Sequence, residues 1–176
     1  PQFILSVGTI EDRKNLMLIL KAMHQLPPDL NLVVVGRKTK YAQKVMQYLD
    51  KNNMKHRVLF LENAPTEDLP ALYQLASVFI FPSYFEGFGL PILEALLSGT
   101  PVIAATGSCL EEAGGPDSIY IHPDDFNALA VAIQTVLADE YLRSRMILNG
   151  VKYAYGFSEQ HLAEHLMAVY KKVIQQ

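Results

Sequence analysis

Uncharged runs of three to five residues recur along the chain, and between most of them apolar residues return every third or fourth position. The runs are Phe3–Val7, Leu32–Val35, Val58–Leu61, Val78–Phe81, Val102–Ala105 and Ile119–Ile121, each followed by a glycine, a proline or a polar residue. Runs of this kind are buried strands. Leu16, Ile19, Leu20 and Met23 repeat at helical spacing and predict a first helix, with Asp12 or Asn15 as its cap and Pro27-Pro28 as its stop. Tyr41, Val45, Tyr48 and Leu49 predict a second helix. Leu69, Leu72, Tyr73 and Ala76 predict a third, capped by Thr66 with Glu67 and Asp68 in its first turn. Leu90, Leu93 and Leu97 give a fourth that ends near Ser98-Gly99, and Phe126, Leu129, Ala130, Ile133 and Leu137 give another. Leu162, Leu166, Val169, Tyr170 and Val173 give a last helix over 158–175.

Strand and helix alternate, and the strands carry almost no charge. That pattern predicts a doubly wound, Rossmann-like α/β domain with a parallel sheet of about six strands, covered on both faces. Ligands of such folds sit beyond the C-terminal strand ends. Three loops there carry polar chemistry: Gly8 to Asn15, Glu62 to Pro65, and Ser83 to Pro91.

Composition narrows the reading. The chain has 176 residues, half of them hydrophobic, which suits one domain with a substantial core. A net charge of −3 argues against a sequence-independent nucleic-acid surface. The single Cys109 excludes an intrachain disulfide framework and fits a reducing, cytoplasmic compartment. A chain that begins Pro1-Gln2 and enters a strand at once is expected to be a fragment, 1–176, cut at a domain boundary.

The most specific stretch runs from Pro82 through Ser-Tyr-Phe-Glu86-Gly-Phe-Gly-Leu-Pro91 to Glu94. It reads as strand, glycine turn and helix N-terminus. Free N–H groups and the positive dipole end at such a point suit an anionic or hydroxyl-rich ligand. On a continuous helix the Glu-x7-Glu spacing leaves the two carboxylates about 80° apart. They form a pair only if the turn folds Glu86 back over the helix start, with Glu94 in the first helical turn. Arg13 and Lys14, in the loop after the first strand, face the same end of the sheet. Cations there stabilise charge on a departing diphosphate without a metal. Alone, such a pair reads more readily as surface charge at a solvated helix start, and the glycine turn at the same end of the sheet reverses that preference. His161 and His165 stand four apart, but Leu162 occupies the place where a metalloprotease helix needs Glu, so no metal site is expected. Cys109 reads as a small inert residue rather than a nucleophile.

Glu-Gly-Phe-Gly-Leu-Pro-x-x-Glu-Ala resembles the signature of the retaining glycosyltransferases of family 4, which have the GT-B fold. The resemblance covers nearly all of this chain and only the C-terminal, donor-binding half of such an enzyme. It implies transfer of a hexose from a nucleotide diphosphate sugar, with retention, to a glycan or lipid-linked acceptor presented by a missing N-terminal domain. No cofactor or metal is implied, nor any nucleic acid, and the parent enzyme is compatible with peripheral membrane association. Residue by residue, Lys14 with Arg13 matches the diphosphate-binding basic pair. Glu86 matches the glutamate near the transferred sugar, and Glu94 the one that binds ribose. Gly8 and Thr9, with Gly87, Phe88, Gly89 and Leu90, match backbone positions around sugar and phosphate. Asn63 and Ala64 match the loop against the nucleobase, where Glu62 replaces a usual glycine. Gly107 to Gly115 resembles a segment that places a helix N-terminus toward the diphosphate. Thr9 stands where many members have Arg. The form Gly-Thr-x-Glu-x-Arg-Lys-Asn is similar to a subgroup and points to a GDP-mannose-like donor. A sugar epimerase on the same fold and a non-catalytic nucleotide-sugar binding module are the alternatives. In either case the fragment alone is expected to be inactive in transfer.

Overall fold

A computed structural model describes residues 2–158 together with Ala163, Met167, Tyr170 and Lys171. Six strands, β1 (Phe3–Val7), β2 (Asn31–Val35), β3 (Val58–Leu61), β4 (Val78–Phe81), β5 (Val102–Ala105) and β6 (Ile119–Ile121), form one sheet in the order β3-β2-β1-β4-β5-β6. Every pairing is parallel, with Ile4 opposite Leu32 and Val78, and Phe79 opposite Val102. The expected doubly wound architecture is therefore present.

Alternation along the strands sorts side chains between two cores. Ile4, Leu32, Val34, Val78, Ile80 and Ile103 point to one face, where α1 (Leu16–Ala22), α2 (Ala42–Lys51) and α6 (Phe126–Ala138) cover them. Leu5, Val33, Val35, Phe79, Phe81, Val102 and Ala104 point to the other. There α3 (Leu69–Leu75), α4 (Leu90–Leu97), α5 (Leu110–Gly114) and α7 (Glu140–Tyr155) cover them. Tyr73, Phe79 and Phe81 form an aromatic run on this face, with ring centroids 5.2 and 5.8 Å apart. Full burial of each ring contributes about 2–3 kcal/mol.

The helix α7 is absent from the sequence expectation, and its packing explains why. Its buried residues are Met146, Gly150 and Ala154, a stripe of one residue per turn. A Cβ on Gly150 would stand 2.7 Å from Leu96 Cδ2, so α7 lies hard against α4 through small side chains. Meanwhile Tyr141, Leu148 and Tyr155 are exposed and blur the apolar period. Asp139 starts α7 by accepting from Leu142 N at 2.8 Å, and Asp125 starts α6 by accepting from Ala128 N at 2.8 Å.

Two expected caps are corrected. Thr66 caps nothing: Thr66–Asp68 is a turn of 3₁₀ helix, and α3 begins only at Leu69 with Pro70 in its first turn. Neither Asp12 nor Asn15 caps α1 through its side chain: Asn15 holds the N-cap position in the left-handed conformation, φ +57°, not the extended one a side-chain cap uses. The last helix expected over 158–175, with His161 and His165, lies outside the described residues but for Ser158, Ala163, Met167, Tyr170 and Lys171. No helix among the described residues is long and apolar enough to cross a membrane.

Candidate donor-binding site

The sheet order reverses between β1 and β4. The chain leaving β1 enters α1 on one face, and the chain leaving β4 enters α4 on the other. The two loops diverge, and the crevice between them is where an open α/β sheet binds its ligand.

The first loop is fixed residue by residue. Gly8 has φ +147° and donates its N–H to Val35 O at 2.8 Å. Gly36 lies so close behind it that a Cβ there would stand 2.0 Å from Gly8 O, so both positions require glycine. Gly8, Thr9 and Lys14 close around a void of about 10 Å³, too small for any ligand. After the 3₁₀ turn Asp12–Lys14, buried Asn15 adopts φ +57°. Asparagine tolerates this left-handed conformation. Its amide donates to Pro82 O at 3.1 Å and to Pro123 O at 2.7 Å, tying together the loops after β1, β4 and β6. Tyr84 N donates to Arg13 O at 2.9 Å, and Tyr84 Oη to Asp124 Oδ1 at 2.7 Å.

These ties bring the basic pair against the glycine turn. Lys14 Nζ lies 2.6 Å from Glu86 Oε1 and 4.8 Å from the centroid of the Phe81 ring. Arg13 Nη1 lies 3.0 Å from Glu86 Oε2 and donates to Phe85 O at 3.0 Å, and Nη2 reaches Glu11 Oε1 at 2.8 Å. Burial pushes the Glu86 carboxyl up, but the cations of Lys14 and Arg13 against its two oxygens more than offset it and hold the group below its ordinary range. Charge alternates along Glu11, Arg13, Glu86 and Lys14.

The rest of the turn is built for close approach. A Cβ on Gly87 would meet nothing within 4 Å, so this glycine leaves open space beside Glu86. Phe88 turns inward against Phe157, with ring centroids 5.8 Å apart. Gly89 has φ +117° and precedes Leu90, the largely exposed first residue of α4. A Cβ on Gly89 would stand 3.0 Å from that of Ala113, so the start of α4 lies against α5. Cys109 Sγ donates to Glu86 O at 3.1 Å, so its thiol is a tie on the turn, a role the sequence reading missed.

Glu94 departs from expectation. It is the fifth residue of α4, past the first turn, and its partner is Tyr73, whose Oη donates to Oε2 at 2.9 Å. Burial, then the charge of Glu94, pushes the Tyr73 phenol far up, so it stays protonated and donates. Glu86 and Glu94 thus have separate protein partners. Glu94, Tyr73, Thr66, Pro70 and Ser98 line a cavity of about 280 Å³. Beyond β3, Asn63, Ala64 and Pro65 line another of about 580 Å³ against Ala71 and Leu72 of α3. Among the described residues no cluster of three or more His, Cys, Asp or Glu could hold a metal ion.

Sequence reasoning did not find the bridging role of Asn15, the Tyr73 donor to Glu94, or the Phe88–Phe157 contact. Asparagine just after a basic pair and before a helix carried the only local signal, through its tolerance of φ > 0.

Comparison with known proteins adds the following. The family model described as glycosyl transferases group 1 matches residues 1–153. The O-antigen chain mannosyltransferase B of Escherichia coli is 32% identical over 173 residues, which are 96% of this chain and 45% of that protein. Sucrose-phosphate synthase from Thermosynechococcus elongatus superposes with a TM-score of 0.88 at 30% identity, over 99% of this chain and 46% of that one. The C-terminal domain of a group 1 family glycosyl transferase, LpcC, from Francisella tularensis superposes with a TM-score of 0.78 at 23% identity. This chain covers 85% of that domain, against less than half the length of the mannosyltransferase.

Proposed function

Given that the chain belongs to the glycosyl transferases of group 1, we propose that it is the donor-binding half of a retaining hexosyltransferase that uses a nucleotide diphosphate sugar, GDP-mannose-like, and a glycan or lipid-linked acceptor. The observation that carries this reading is the convergence of Arg13 and Lys14 on the Glu86 turn, in the crevice between β1 and β4.

The diphosphate lies over Gly8, Thr9 and the start of α4, where the backbone N–H groups of Phe88, Gly89 and Leu90 meet it. Lys14 has three N–H donors, of which Glu86 takes one. Both cations act on the leaving group: as the glycosidic C–O bond breaks, negative charge grows on the diphosphate and positive charge on the sugar. Glu86, kept ionised by its cations, accepts from hydroxyls of the sugar, which occupies the open space at Gly87. Glu94 accepts from the ribose hydroxyls with Tyr73 holding its far oxygen. Asn63 and Ala64 flank the base.

The acceptor is presented by the other half of the parent enzyme. Half a cleft leaves the reacting sugar in water and forfeits most of the proximity and electrostatic terms. The chain alone therefore binds nucleoside diphosphate and transfers no sugar. Calorimetry with GDP, UDP and ADP tests the first part, and mass spectrometry of matched donor and acceptor tests the second. Transfer at about 1 s⁻¹ or faster overturns the assignment as half a site.

A further inference from the structure

We infer that Lys38 and Glu62 form a base-reading pair that selects guanine at the nucleotide end of the donor site, an inference that rests on the donor-binding reading above. β2 and β3 run parallel with Val35 opposite Leu61, so the residues leaving them emerge side by side. Glu62 is the first residue past β3. Lys38 follows β2 by three residues, and its backbone is held by a parallel bridge to Ile10. Lys38 Nζ reaches Glu62 Oε1 at 2.6 Å and lies 5.4 Å from the centroid of the Phe60 ring. Both side chains are about two-fifths exposed, 37% and 43%, so the pair presents itself to a ligand rather than being sealed in. Glu62 and Phe60 belong to the wall of the 580 Å³ cavity, which Ala71, Leu72 and Leu75 of α3 close on the other side. The wall is mostly apolar, with Glu62, Asn63 and Asp68 as its polar groups; such a cavity suits a nucleobase, and the chemistry proposed at the diphosphate makes no use of the Lys38–Glu62 pair.

An ammonium beside a carboxylate offers, in order, a donor and two acceptors. The outer edge of guanine runs O6, N1–H and N2–H₂: one acceptor, then two donors. The two patterns are complementary. Uracil runs O4, N3–H and O2, so its O2 carbonyl would face the second carboxylate oxygen with no hydrogen between them. Adenine places an amino group against the ammonium. The pair therefore favours guanine by attraction and rejects the other two by repulsion and unpaired polar groups.

The test is calorimetry of GDP, IDP, UDP and ADP with the 176-residue chain and with Glu62→Gln and Lys38→Met. The wild-type chain should bind GDP at least about tenfold tighter than UDP or ADP. IDP, which keeps O6 and N1–H but lacks the 2-amino group, should fall between. Glu62→Gln should remove most of the GDP preference, weakening GDP and, with the repulsion against uracil O2 gone, tightening UDP. Lys38→Met should weaken GDP and IDP alike, since both keep O6. Equal affinity for GDP and UDP in the wild type, or a GDP preference that survives both substitutions, overturns the base-reading pair and leaves the diphosphate site standing. Failure of every diphosphate to bind overturns the donor-site reading, and the pair with it.

Discussion

Arg57 and Lys14 are both cations drawn into the fold, and they are held in opposite ways. Arg57 spends its fork on backbone carbonyls: Nε and Nη2 donate to Leu30 O at 3.2 and 3.0 Å, Nη1 to Met23 O at 2.9 Å, and Nη2 also to Pro27 O at 2.6 Å. It thereby clamps the connection from α1 to β2, where Pro27 and Pro28 forbid a regular ladder. Burial pulls its pKa down and the charge of Asp29 opposes that only in part. Lys14 instead faces one carboxylate and one aromatic ring. Carbonyls of a packed loop cannot be exchanged for another partner. A carboxylate on a turn can be, and a phosphate oxygen is a partner of the same sign. A buried cation on carbonyls therefore marks architecture, whereas one on an exchangeable acid beside open space marks a ligand site.

The largest effect expected from this contrast is on stability. Arg57→Ala removes the donors that clamp Leu30 O, Met23 O and Pro27 O and should cost about 3–4 kcal/mol, seen as a lower urea midpoint, while leaving the affinity of the remaining folded chain for nucleoside diphosphate unchanged. Loss of affinity in parallel with stability would erase the distinction between the two cations. A smaller effect belongs to Glu94. Glu94→Gln should weaken ribonucleotide binding by about 1 kcal/mol and 2′,3′-dideoxy analogues by less, because an amide accepts one hydrogen bond where a carboxylate accepts several. Equal losses for both ligands would leave Glu94 as no more than a partner for Tyr73.

The remaining effect is acid dependence. Glu86 is depressed in the folded chain, so the stability it contributes is complete above its ordinary value of 4.5 and is lost as pH falls from there through the folded value. In urea titrations across that window, Glu86→Gln should flatten the slope by at most one proton's worth, about 1.4 kcal/mol per pH unit. Arg57→Ala should leave the slope as it is. An unchanged slope in Glu86→Gln would mean that the carboxylate titrates normally and is not held by its cations.

Much of this was legible in the sequence because the signals are local. The six strands stand out since a strand buried on both faces admits no charge. Lys14, Arg13, Glu86 and Gly89 stand out because they crowd the loops after two such strands. What was not legible depends on neighbours far along the chain. The order β3-β2-β1-β4-β5-β6 decides that the loops after β1 and β4 meet, and no residue announces it. Arg57 sits in Lys55-His56-Arg57 like any surface cluster, and only the fold sets it under Leu30 and Met23. Glu94 looked like a first-turn partner of Glu86. The helix starting at Leu90 carries it past that turn to Tyr73, 21 residues upstream.

The donor site itself is tested most directly by calorimetry on Lys14→Ala with a nucleoside diphosphate and its parent nucleoside. On the proposed reading the substitution removes a charge-assisted contact to the diphosphate and nothing that touches base or ribose. Diphosphate binding should weaken by about 1.5–3 kcal/mol, with nucleoside binding unchanged. Equal losses for the two ligands, or no loss for either, would show that Lys14 is held by Glu86 for the fold alone and that the crevice between β1 and β4 is not where the diphosphate binds.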